Sequence, residues 1–67
     1  MPYRLKDGWR VVVISRDHPG AIVSFRLSPA GRPCAVPERL DTLPFHRLPP
    51  EVRLRMVRLA TETLVGL

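Results

Sequence analysis

The segment from Pro49 to Leu67 (PPEVRLRMVRLATETLVGL) constrains this chain more than any other. It reads as one long helix over 50–65: Pro50 suits the first helical position, Glu51 favours the positive end of the helix dipole, and Gly66 is a natural stop. No Ser, Thr, Asp or Asn stands at the cap position. With each residue advancing about 100°, Val52, Met56, Leu59, Ala60 and Thr63 share one side, with Val57 and Leu64 at its edge. Leu54 and Val65 carry apolar surface to the far side, and Arg55, Arg58 and Glu62 leave a narrow polar stripe.

A helix that is apolar nearly all round is normally covered on several sides. Sixty-seven residues have little to cover it with, because a domain this small buries only ~60% of the surface its unfolded chain exposes. Small proteins add a disulfide, a metal or a second subunit, and a single cysteine, Cys34, rules out an internal disulfide. A homodimer or higher oligomer is therefore expected, with Leu54, Leu64 and Val65 as its contact residues. The lone cysteine also makes a cytoplasmic location the expectation. The longest apolar run, Val11 to Ile14, falls far short of the ~20 residues that span a bilayer, and no leader pattern opens the chain. The expected protein is the whole chain, one domain over 1–67, with no membrane partner.

The remaining sequence predicts a small α+β fold: an antiparallel β-meander of two to three strands, a proline-rich connection and the helix. Residues 9–16 and 21–28 are rich in Val, Ile and aromatics around the turn-prone Asp17-His18-Pro19-Gly20, which predicts a hairpin. Residues 3–6 add a strand through Asp7-Gly8. A two-residue turn there places Leu5 opposite Arg10; a three-residue loop, Lys6-Asp7-Gly8 with Gly8 left-handed, pairs Leu5 with Trp9 and Tyr3 with Val11. The second is preferred because it sorts apolar from charged. It puts Tyr3, Leu5, Trp9, Val11, Val13, Val23, Phe25 and Leu27 under the helix. In the connection, 29–48, prolines limit the chain to a short edge strand around Cys34-Ala35-Val36, and Leu40, Leu43, Phe45 and Leu48 are its apolar anchors.

On that register the second sheet face carries Arg4, Lys6, Arg10, Arg16 and Arg26 around Val12, Ile14 and Ile22. The chain is strongly basic, with a net charge of +5 and a pI of about 11.1, so nucleic acid or an acidic protein surface is the expected partner. The five cations are candidate phosphate contacts. The chain has no Asn and no Gln, which removes the side chains that read adenine by paired hydrogen bonds and fits a thermophile that avoids labile amides. The second reading of the same face is a protein interface, an apolar centre of Val12, Ile14 and Ile22 inside an arginine rim, as in an adaptor, an inhibitor or a small subunit.

Catalytic chemistry finds little support. Neither His18 nor His46 stands at a spacing that ties it to Cys34 as base to nucleophile, and no paired Cys or His spacing suggests zinc. Phosphate-binding glycine loops are missing, and the six carboxylates are scattered. A non-enzymatic binding or regulatory protein without metal or cofactor is the expectation.

Overall fold

The computed structural model describes residues 2–18, 20–28, 33–38 and 45–67. Strand β1 (Pro2–Leu5), β2 (Gly8–Ile14), β3 (Ile22–Leu27) and β4 (Ala35–Pro37) form one antiparallel sheet in chain order. A 3₁₀ turn, Phe45–Arg47, leads to the helix α1, Pro50–Val65. The fold is the expected α+β arrangement, with four strands where two to three were expected: the short Cys34-Ala35-Val36 edge is a full member of the sheet. Leu40 and Leu43 lie outside the described residues.

One face of the sheet seats the helix. Val11 pairs with Phe25 and Val13 with Val23, and Phe25 with Pro37 and Leu27 with Ala35 extend the same face. Phe25 is fully buried and meets Phe45 edge to face, centroids 5.7 Å apart, a favoured aromatic geometry. From the helix come Val52, Met56, Ala60 and Leu64, each buried. These four are spaced strictly by four residues, a ridge that drifts about 40° around the helix per step. The contact line therefore winds from Val52 to Leu64, leaving Leu59, expected to face inward, half exposed.

Pro49 precedes the helix in extended conformation and its carbonyl accepts the N–H groups of Val52 and Arg53, both at 3.0 Å; no side chain caps this end. The sheet edges are closed by other means. Ser28 N–H donates to the Cys34 carbonyl and Glu38 N–H to that of Ser24, both at 2.8 Å. Because ladder bonds alternate along an antiparallel strand, Ala35 N–H turns to the free side of β4. There the Thr61 hydroxyl of α1 accepts it at 2.9 Å. Pro37, at the equivalent position two residues on, has no N–H, and Pro2 likewise shortens the donor row of β1. Proline at edges and a covering helix are the usual protections against edge-to-edge pairing.

The first hairpin corrects the expected register. Its turn holds two residues, Lys6-Asp7, so Leu5 lies opposite Gly8, Arg4 opposite Trp9 and Tyr3 opposite Arg10. Gly8 has φ +130°, a conformation open to glycine, but it stands in the ladder and not in the loop. Shifting a strand by one residue moves every side chain to the other face. Tyr3 and Leu5 thus leave the helix side for the outer face, and Arg4 takes the opposite course.

Candidate interaction surface

The outer face is built from alternate residues of all four strands. Tyr3 and Leu5 of β1 stand beside Arg10, Val12 and Ile14 of β2; Ile22, Ser24 and Arg26 of β3 follow, then Val36 of β4, with Ile14 directly opposite Ile22 and Arg26 opposite Val36. Tyr3 reaches over β2, its hydroxyl 2.9 Å from the Ser24 hydroxyl of β3, and Ser24 is buried. Among the described residues, no element lies over the rest of this face. Tyr3, Leu5, Ile14 and Ile22 are 38%, 44%, 64% and 43% exposed, while Val12 and Val36 are half-buried.

Arg10, placed by sequence at the heart of a basic face, is only 5% exposed. Its Nε donates to Glu38 Oε1 at 2.6 Å, its Nη2 to Asp7 Oδ2 at 2.8 Å, and its Nη1 to the Trp9 carbonyl at 3.2 Å. Such charge-assisted bonds are the strong ones, and they use the guanidinium as an internal clamp between the first turn and the residue following β4. The bond from Arg10 holds the Asp7 carboxyl below its ordinary value, and the bond to Glu38 raises Arg10 against the opposing effect of burial. Arg26 is exposed beside this clamp and forms no ion pair among the described residues.

The five expected phosphate contacts are thus dispersed. Arg26 alone stays exposed on the outer face; Arg10 is closed off; Arg4 shares the helix-side face with Trp9; Lys6 lies in the first turn and Arg16 beyond the end of β2. Of the expected contact residues, Ile14 and Ile22 are adjacent and exposed, and Val12 lies between them and the clamp. Leu54 and Val65 are exposed on the helix, but Leu64 is buried in the core and offers no outward surface, because the winding contact line ends on it. Tyr3, Leu5, Asp7 and Glu38 were missed by sequence reasoning. The spacing of Asp7 three residues before Arg10 was an available local signal; Glu38 had none, since it stands 28 residues from Arg10.

The candidate chemical groups remain apart. Cys34 is exposed, with Sγ 3.6 Å from the Ala35 carbonyl; His46 is exposed on the 3₁₀ turn, and His18 lies in the β2–β3 loop. Among the described residues no group of three His, Cys, Asp or Glu side chains could hold a metal ion, and no helix is long and apolar enough to cross a membrane. A cleft between the end of β2 and α1 is floored by Val13, Val52 and Met56; across its rim Arg55 and Asp17 are 3.8 Å apart and well exposed, so solvent screens the pair.

Fold and surface together define a small α+β protein with a helix-covered face and an open, largely apolar one. Compared with known proteins, the chain matches no family model, no curated protein and no solved structure.

Proposed function

We propose that this chain is a non-enzymatic protein-interaction module acting through its outer sheet face. One observation carries the reading: the cation at the centre of that face, Arg10, is consumed by Asp7 and Glu38, while the apolar residues around it are left open. Phosphate binding draws on cations free to displace counterions, and among the described residues this face offers one, Arg26, with Lys6 and Arg16 at its margins. A protein interface draws on an apolar centre, charge depleted at the middle and polar groups at the rim. Tyr3, Leu5, Val12, Ile14 and Ile22 supply the apolar surface around the neutralised Arg10, and Arg26 and Asp7 the exposed charge beside it. An adaptor, an inhibitor or a small subunit acts through a surface of this kind.

The test compares Ile14→Asp with Arg26→Glu. Labelled single- and double-stranded DNA and RNA are titrated at low and moderate salt, and partner retention from the native lysate is measured for each variant. Retention that Ile14→Asp abolishes, with weak nucleic-acid binding that Arg26→Glu hardly alters, supports the interface. Tight, steeply salt-dependent nucleic-acid binding that Arg26→Glu abolishes and Ile14→Asp spares overturns it.

A further inference from the structure

The outer face carries charges of both signs. Asp7 is 70% exposed at the side chain and Arg26 has no ion-pair partner among the described residues, and both border the same polar hollow with Arg10 and Glu38. A surface that served only an acidic partner would hold its cations free; here two cations face two carboxylates. Charges of both signs at the end of an apolar patch suit a two-fold contact between identical surfaces: the operator that brings Arg26 of one copy onto the Asp7–Glu38 end of the other brings about the reverse pairing as well.

The apolar area fits the same occupant. Tyr3, Leu5, Ile14 and Ile22, with the open parts of Val12 and Val36, leave roughly 400 Å² uncovered, within the range of the largest patch a monomer exposes. It also approximates the apolar share of the ~800 Å² that each partner of a stable complex buries. Edge-to-edge association is disfavoured by Pro2, Pro37 and the Thr61 contact to Ala35, so the route left to the sheet is face to face. Two sheets packed this way interdigitate side chains over about 10 Å. We propose that the partner of the outer face is a second copy of this chain, packed sheet against sheet, with Ile14 and Ile22 meeting their counterparts at one end and Arg26 paired to Asp7 or Glu38 of the other copy at the opposite end.

This inference rests on the interface reading and names its occupant. Sedimentation equilibrium of the full chain from 1 to 100 µM tests it. The expected result is a mass twice that of the 7.6 kDa chain, at least a tenfold weaker dimer for Ile14→Asp and for Arg26→Glu, and no change for Leu54→Asp on the helix. Ile22→Thr, a milder change, weakens the dimer if Ile14→Asp unfolds the chain, which circular dichroism reports. A monomer at 100 µM, or a dimer that Leu54→Asp dissociates and Ile14→Asp spares, overturns the second copy as occupant. Ile14-dependent retention of another protein by a monomeric chain would then leave the interface reading standing; without it both fall.

Discussion

The Thr61 hydroxyl ties the helix to the last strand, and Thr61→Val isolates what that tie contributes. Oγ1 accepts the Ala35 N–H at 2.9 Å and donates to the Val57 carbonyl at 2.7 Å. Valine keeps the branched shape but removes the oxygen. The Val57 carbonyl sits four residues upstream, within reach of the helix's own ladder, so its loss is minor. Ala35 has no such recourse: the residue is buried, its N–H points away from β3, and water does not reach it. Leaving a buried donor unsatisfied costs about 1–3 kcal/mol, and about 2 kcal/mol is expected here. A chain of this length has a total stability of roughly 3–10 kcal/mol, and each kcal/mol lowers Tm by about 4–8 °C, so Thr61→Val should melt ~8–16 °C below wild type.

Thr61→Ser, which keeps the oxygen and loses one partly buried methyl, should cost about 0.8 kcal/mol or less. Thermal and urea unfolding followed by circular dichroism measure both, and hydrogen exchange at the Ala35 amide should accelerate only in the valine variant. Equal stability of Thr61→Val and wild type, or equal losses for the serine and valine variants, would refute the reasoning.

Acid should weaken the first turn: the contribution of the Asp7–Arg10 pair is full above the ordinary carboxylate range and is lost as pH falls through the lowered Asp7 value, so Asp7→Asn should lack that part of the wild-type acid limb in urea titrations from pH 7 to pH 2. Leu64→Asp should prevent folding, since it buries a charge in the core, while Leu54→Asp and Val65→Asp should stay within about 0.5 kcal/mol of wild type; melting curves decide. Glu38→Gln should release the charge of Arg10 and raise affinity for single-stranded DNA at low salt, read by fluorescence anisotropy, and an unchanged affinity would show that pairing with Glu38 is not what masks it.

Most of the fold was legible because its signals are local. Runs of Val, Ile and aromatics mark β2 and β3, Pro50 and Gly66 bracket α1, and the prolines around Cys34 confine β4 to a short edge. The candidate surface was less legible because its determinants are distant in sequence. Along β1, Tyr3 and Leu5 alternate with Arg4 and Lys6, so either face assignment sorts apolar from charged within the strand. The choice lies with contacts that no local pattern reveals: Tyr3 to Ser24, 21 residues away, and Arg10 to Glu38. On the helix, periodicity gives an apolar arc but not the angle at which it crosses the sheet. That angle is what buries Leu64 and exposes Leu59.

The character of the outer face follows from one chain of contacts. Thr61 holds Ala35, β4 carries Glu38 over Arg10, and the clamp on Arg10 turns the middle of a basic chain into a neutral surface. Net charge alone points to a polyanion, but it counts Arg10 as free. The arginines that remain exposed are divided between the sheet face, the turns and the helix, where Arg55 and Arg58 point outward. Of the exposed apolar side chains, Tyr3, Leu5, Ile14 and Ile22 share the outer face around Val12, while Trp9, Leu54, Leu59 and Val65 lie elsewhere. A register shifted by a single residue would have moved Tyr3 and Leu5 to the helix-side face and set Arg4 on the outer face in their place, exchanging two apolar side chains for a cation. On the proposed reading, the two-residue turn at Lys6-Asp7 favours a protein partner over a polyanion, because it sets Tyr3 and Leu5 on the outer face and Arg4 on the other.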